Sequence, residues 1–258
     1  MVDISIIIIN YNSEDYTVNC IKSLFEHTST TLKCQYIIVD NGSTKKSYLH
    51  VKNYIDSIAK EHPITLVRSN INTGFGGGNM LGVQHAKGQY LAFVNNDTVL
   101  ESDCLVVLKK FMDMRPDVGV CGPQAFTDDK KILPTIDHFA SPVREIFGRS
   151  FLETIQPKKY PKRKRLYSTP QQGQFIAGSF MFFRASDFNT IGGFDTNIFL
   201  YYEETDTCRR LDKLNKSAYL VPEASFIHYH GASTEKSVAI KTELKISLLY
   251  VVRKHQGL

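Results

Sequence analysis

Residues 4 to 16 read ISIIIINYNSEDY, and the way that stretch ends sets the fold. The β-branched run at 4–9 has no regular polar alternation, the pattern of a strand buried on both faces. It stops at a polar turn. Ser13 is placed to cap a helix to about Phe25, with Glu14 and Asp15 in its first turn. QYIIVDNGS (35–43) repeats the scheme and leads into a helix reaching about Lys60. ITLVRSN (64–70) is a third strand, GGNMLGVQHA a short helix, and QYLAFVNNDT (89–98) a fourth strand ending in polar residues. A helix near 101–113 and a strand at VGVCG (118–122) follow. Strands alternating with helices predict an α/β fold with a mostly parallel central sheet flanked by helices. Ligands of such sheets bind beyond the carboxyl ends of the strands. Asn10, Asn12, Asp40, Asn41, Asn95, Asn96 and Asp97 all fall there.

After about residue 125 the rhythm breaks, so the chain reads as one domain with two halves, 1–125 and 126–258. Prolines at 134, 142, 157, 161 and 170 mark 126–170 as a long irregular insertion or mobile loop. FIAGSFMFF (175–183) returns to strand-like sequence, and a helix is expected from about Glu203. AYLVPEASFIHYHGAS (218–233) holds another strand, and ELKISLLYVVRKHQ closes the chain as an amphipathic helix.

At 258 residues with 42% hydrophobic and 22% charged residues, the composition is that of a globular enzyme. Five cysteines, at 20, 34, 104, 121 and 208, form no metal-binding spacing and suit a reducing compartment. No signal peptide and no run long enough to span a bilayer is expected. The net charge of +5 is concentrated in KKYPKRKR (158–165), six cations with no acid among them. Such a block is either a solvated loop or an attractor of phosphates, whether in nucleic acid, anionic lipid or a diphosphate.

Several strand-end residues carry chemistry and each has a plainer reading. Asp40 is an acceptor for a base N–H, or the start of an Asx-turn that Asp-Asn-Gly-Ser makes readily. NTGFGGGN (72–79) is a glycine-rich loop before a helix, suited to close backbone approach or to an anion. A dinucleotide fingerprint is the competing reading there, with Asn79 standing where its third glycine belongs. Asp97 suits a hard divalent cation, or caps the next helix, as Ser102 also could. His228 and His230 alternate along a strand, so one of them can face a site. In FLYYEETDTCRRL (199–211), Glu203 and Glu204 follow two aromatics, either as a solvated helix start or as a carboxylate poised to take a proton.

Together these stretches resemble the inverting nucleotide-sugar glycosyltransferases of family 2, with the GT-A fold, and most closely the bacterial rhamnosyltransferase branch. SIIIINYNSEDYTVNCIKSL, YIIVDNGSTKKS, NINTGFGGGNMLG, LAFVNNDT, AGSFMFFR with IGGFDTNIFLYYEETDTCRRL, IHYHGAST and SLLYVVRKHQG match its segments in order. Three departures stand out: Lys45 where the family has an acid, Asn95 in place of the first acid of its metal motif, and Glu204 where it has aspartate.

The resemblance implies a nucleotide-sugar-binding half (1–125) and an acceptor-binding, catalytic-base half (126–258). Asp40 would read the base, with Tyr11 and Asn12 against the nucleoside. Asn10, Asn41, Gly42, Gly76, Gly77, Asn79, Asn95 and Asn96 complete the donor site. Asp97 and His228 would hold Mg2+ or Mn2+, Glu204 would be the base with Glu203 as runner-up, and Tyr202, Arg253 and Lys254 would meet acceptor or diphosphate. Asp206, Arg209 and Arg210 would brace the helix. The implied reaction moves a sugar, L-rhamnose from dTDP-rhamnose, onto a glycan or polyprenyl-diphosphate-linked acceptor in surface polysaccharide synthesis. A UDP-hexose donor and a non-catalytic nucleotide-sugar-binding protein are the alternatives. No nucleic-acid partner is expected. The place of action would be the cytoplasm, at the inner face of the plasma membrane, with 158–165 as the peripheral contact.

Overall fold

In the computed structural model of the chain, which describes residues 1–229 and 237–257, the run at 4–9 lies in strand β1 (Val2–Asn10) inside a broad sheet. Ile4, Ile6 and Ile8 join one core layer and Ile7 the other, and all four are fully buried. A strand covered on both sides needs apolar residues at successive positions, which is why alternation is missing. Ser5 is the polar exception. Its hydroxyl donates to Gln35 Oε1 at 2.8 Å and accepts from the Lys87 and Gly88 amides at 3.0 and 2.9 Å.

The first half alternates as expected: α1 (Glu14–His27), β2 (Cys34–Asn41), α2 (Lys45–Ile58), β3 (Ile64–Ser69), α3 (Gly74–Val83), β4 (Gly88–Val94), β5 (Thr98–Leu100), α4 (Cys104–Met114) and β6 (Val118–Phe126). The second half adds β7 (Ile136–Asp137), α5 (Pro142–Phe147), α6 (Arg149–Ile155), β8 (Gln171–Gly173), β9 (Phe175–Ile176), β10 (Phe180–Arg184), α7 (Ala185–Thr190), α8 (Glu203–Asp212), β11 (Ser217–His228) and α9 (Val238–Gln256). The sheet order is β3-β2-β1-β4-β10-β6-β11-β5, with β8 also on β11. β3, β2, β1 and β4 are parallel, and β6 and β11 are parallel to each other. β10, β5 and β8 pair antiparallel, so the second half makes the sheet a mixed one. Helices α1, α2 and α4 cover one face; α3, α7 and α8 contribute to the other.

Four local expectations are corrected. The glycines of 72–79 are not a loop before a helix but the first two turns of α3 itself. Without Cβ atoms the helix sits close on the sheet: a Cβ at Gly78 would stand 3.0 Å from Ile9 Cδ1, and one at Gly82 2.6 Å from Ile7 Cγ2. The 126–170 insertion contains two short helices. Pro142 is the first residue of α5, where a proline costs no hydrogen bond, and Ser141 caps it by accepting from the Arg144 amide. FIAGSFMFF is broken between β9 and β10, which turns Gly178 and Ser179 out of the ladder. Ser13 makes no side-chain cap to α1, and α4 is capped by Asp103 rather than by Asp97 or Ser102.

Gly74 carries a stability prediction. Its φ is +76°, and a Cβ there would lie 2.0 Å from the Phe199 carbonyl oxygen, which accepts from the Phe75 amide at 2.8 Å. Gly74→Ala therefore lowers unfolding free energy by at least about 1–3 kcal/mol from the backbone alone, read as a drop in the urea midpoint. A midpoint equal to the parent's would contradict this packing.

Candidate active site

A cleft of about 370 Å³ opens at the carboxyl ends of β1, β2 and β4. The chain leaves β1 toward β2 on one side, and β4 lies on the other, the switch point at which open α/β sheets hold ligands. Tyr11, Ser13, Asn41, Asn79, Asn95 and Asn96 line it, with Phe75, Phe199, Leu200 and, from the last helix and its cap, Ser237 and Ile240. The last five had no strand-end signal. They enter because α3, α9 and the segment before α8 close over the strands.

Below this cleft lies a buried polar layer. Asp40 is fully buried, and its Oδ1 accepts from Asn10 Nδ2 at 3.0 Å. Asn10 also donates to Ser43 and accepts from the Thr17 hydroxyl at 2.8 Å, so its amide is consumed in holding β1, β2 and α1 together. Asp40 Oδ2 accepts no hydrogen bond; Arg68 Nε, from the paired position on β3, stands 3.5 Å away and its guanidinium lies over the Tyr48 ring. Arg68 was readable only from strand register. Asn12 is exposed, and its Oδ1 accepts from the Thr44 amide at 2.8 Å. Gly42 has φ +81° and lies so close to Ile71 that a Cβ would come within 2.4 Å of backbone.

Asn41 ties the start of α3 to β2. Its Nδ2 donates to Asn72 Oδ1 and the Gly74 carbonyl at 3.0 Å each, and its Oδ1 accepts from the Thr73 amide and hydroxyl. The Thr73, Gly74 and Phe75 amides thus bond to Asn41, Asn72 and Phe199. A dinucleotide fingerprint needs such amides free for a pyrophosphate, so the helix start rejects that reading. Gly76 packs against 194–198 and Gly77 against Thr73. Asn79 donates back to the Phe75 carbonyl.

At the end of β4, Asn96 Nδ2 reaches Ser13 Oγ at 2.6 Å and Thr17 Oγ1 at 2.8 Å, locking the turn onto α1. Asp97 is 2% exposed, and His228 Nε2 stands 3.2 Å from its Oδ1. Antiparallel pairing of β5 with β11 sets His228 opposite Thr98, which is what brings the two together. A carboxylate and an imidazole nitrogen this close could both hold one hard divalent cation, which would offset charge on a phosphate. Among the described residues no group of three or more His, Cys, Asp or Glu converges. His230 lies outside the described residues.

The acid pair opens α8 after two successive left-handed residues, Tyr201 and Tyr202, each at φ 71°. Left-handed non-glycine backbone costs about 1–3 kcal/mol per residue and persists where the surroundings impose it. Here the segment is held by Phe194 against Phe93 and Phe188, and by Ser247 of α9 donating to the Leu200 carbonyl at 2.8 Å. Glu203 is 2% exposed; burial, then the charges of Glu204 and Glu243, hold its carboxyl well above the usual range. Glu204 is half-buried. Burial, followed by the charge of Asp137, pushes it up to about 7, with its own amide and Arg144 opposing. A Cβ built on Gly178 would meet Phe75 Cζ at 3.9 Å and Glu204 Oε2 at 4.0 Å. The next residue, Ser179, accepts from the Asn95 amide at 2.9 Å. One short turn therefore joins the acid of α8, an aromatic of the cleft and the end of β4.

The remaining residues brace this frame. Asp206 is fully buried between Arg210, His255 and Lys254, at 2.7 Å from each. Lys254 also reaches Asp195 at 2.7 Å, so its charge locks α9 onto α8. Arg253 is exposed at the end of α9. Tyr202 is half-buried; burial raises its phenol, and Arg144 opposes.

This is an α/β fold with a cleft at its strand ends, and Glu204 Oε2 and the cleft-lining Phe75 both approach Gly178. The profile of glycosyl transferase family 2 matches residues 5–192. The rhamnosyltransferase WbbL of Escherichia coli strain K12 is 30% identical over 96% of this chain and 92% of its own. An N-acetylglucosaminyl-diphospho-decaprenol L-rhamnosyltransferase of Mycobacterium tuberculosis is 26% identical over 55% of this chain and 48% of its own. The crystal structure of GalNAc-T7 with UDP, GalNAc and Mn2+ superposes with a TM-score of 0.72 at 14% identity, over 98% of this chain and 48% of that one. The chain belongs to glycosyltransferase family 2 and is a glycosyltransferase of GT-A fold.

Proposed function

We propose that this glycosyltransferase moves L-rhamnose from dTDP-rhamnose to a glycan or polyprenyl-diphosphate-linked saccharide, with inversion, and that Glu204 is its base. The observation that carries the mechanism is Glu204 itself: half-buried, beside Phe75 and Gly178, with a proton affinity near neutrality. An acceptor oxygen attacks the anomeric carbon, the bond to the donor diphosphate breaks, and the acceptor's proton passes to Glu204. Glu203 is the poorer choice because it is almost wholly buried, 2% exposed.

Asp40 Oδ2 is an unused buried acceptor that suits the imide N–H of thymine or uracil, provided Arg68 moves off it. Both bases present that edge, so a UDP-hexose donor is the second reading, favoured by this indifference. Asp97 and His228 would hold a divalent cation, which when bound offsets charge on the diphosphate. Rhamnose as the sugar is supported by the rhamnosyltransferase relatives, and a lipid-linked acceptor by the name of the mycobacterial one. A coupled assay for released nucleoside diphosphate, run with dTDP-rhamnose and with UDP-hexoses, decides the donor. Turnover with UDP-hexoses alone would reject rhamnose.

A pH profile follows. The base must be ionised, so turnover rises as pH rises through about 7 and falls on the acid side. Stability runs the other way. The folded chain holds the Glu204 proton more tightly than an ordinary carboxylate near 4.5, so this group's contribution is full below that value and is lost as pH rises through about 7. Glu204→Gln therefore melts higher than the parent at pH 8 and alike at pH 4. A flat rate profile between pH 5 and 8 (about the range where this group titrates) would remove Glu204 from the role.

A further inference from the structure

Helices α5 and α6 carry an apolar face that the rest of the described chain leaves bare. Ile146 is 74% exposed, Phe147 57%, Phe151 41% and Ile155 56%, and the two phenylalanine rings stack at 4.9 Å across the Gly148 break. Large apolar side chains clustered on a surface mark a contact site. A second, independent feature says what the contact is. Arg163 ties the cationic run 158–165 to α6, bonding Glu153 Oε1 at 3.1 Å and pairing with Asp137 at 3.3 Å. Lys158, Lys159, Lys162, Lys164 and Arg165 have no carboxylate partner within 4 Å among the described residues.

We infer that α5 and α6 dock this protein on an anionic bilayer, with Ile146, Phe147, Phe151 and Ile155 entering the headgroup–acyl boundary and the 158–165 cations held at phosphate level. An apolar face bordered by lysines and arginines is the signature of a helix lying in the membrane interface. A second copy of this chain is the poorer occupant: a symmetric pair would bring the two cationic runs together. The region is also tied to the active site. Asp137, which anchors Arg149 and Arg163, is the charge that raises Glu204. Docking there would hold the bilayer on the acceptor side of the enzyme. This deepens the reading of a lipid-linked acceptor and rests on it for its purpose.

The test uses the full chain and vesicles without any acceptor lipid, so it stands apart from the donor assay. The parent co-sediments with mixed phosphatidylglycerol–phosphatidylcholine vesicles, not with phosphatidylcholine alone, and releases at high salt. Phe147→Ser with Phe151→Ser lowers partitioning by at least about tenfold. Replacing Lys158, Lys159, Lys162 and Lys164 with glutamate does the same. Both variants keep the parent's melting temperature and its turnover on a water-soluble acceptor. The chain contains no tryptophan, so Phe151→Trp gives a single indole whose emission shifts to the blue on anionic vesicles. Parent-like binding by the phenylalanine variant, or no blue shift, overturns the proposal. A parent that ignores vesicles but dimerises through this face hands the surface to a second copy.

Discussion

Glu204→Gln lowers turnover by about 10²–10⁴-fold while the donor's apparent affinity holds, measured as nucleoside diphosphate released under saturating donor and acceptor. The amide keeps the shape and polarity of the protonated acid but cannot take a proton. In the proposed reading the donor meets the strand ends of the first half, so its binding is spared. Glu203→Gln is the internal control. Glu203 is buried, its Oε1 has no hydrogen-bond partner among the described residues, and burial holds its carboxyl above the usual range, so the substitution changes little in turnover. Glu204→Asp sits between. Shortening the arm by one methylene withdraws the oxygen by more than an ångström, and misplacement of that size costs about 10²-fold. Near-parental turnover in Glu204→Gln, or a loss in Glu203→Gln instead, would shift the base to its neighbour.

Why two adjacent acids differ is a matter of which wall each meets, and that was not in the sequence. Residues 199–211 announced a pair of carboxylates at a helix start, and the helix does begin at Glu203. The pair's split comes from tertiary neighbours: Glu243 on α9 beside Glu203, and Asp137 and Arg144 beside Glu204. Both neighbours of Glu204 belong to the insertion, whose prolines concealed its helices. Patterns of short range were legible. The isoleucine run, the Asp-Asn-Gly-Ser turn and the Asn-Asn-Asp turn mark strand ends because buried strands and tight turns each have a local chemistry. What depended on register was not. Arg68 beside Asp40 and the break between β9 and β10 follow from which strands pair, and His228 beside Asp97, expected only through the family resemblance, has its physical cause in the β5–β11 pairing. The glycines of 72–79 misled most, since their value is closeness of helix to sheet rather than freedom of a loop.

The second large effect belongs to Asp97. Asp97→Asn, or chelation of divalent cations from the parent, lowers turnover by about 10³-fold, the worth of several kcal/mol of charge stabilisation. His228→Gln gives a smaller loss, about 10–100-fold, if imidazole is one of two protein ligands and phosphate and water supply the rest. The case rests on arrangement. Asp97 is buried at the end of β4, does not cap the following helix, and has His228 at 3.2 Å. A carboxylate of only structural use would behave differently. Its removal would lower the melting temperature without altering Mn2+ binding, whereas a ligand's removal abolishes that binding in calorimetry. Asn95, where the family's motif has an acid, lines the cleft two residues before Asp97 and offers an amide instead of a charge. In the proposed reading, one carboxylate fewer weakens the free protein's hold on the cation and leaves more of the site to the diphosphate. Mn2+ affinity should therefore rise steeply when nucleoside diphosphate is present, and Asn95→Asp should strengthen binding in its absence. Equal Mn2+ affinity with and without the nucleotide, retained in Asp97→Asn, would place the cation elsewhere and leave Asp97 a structural acid.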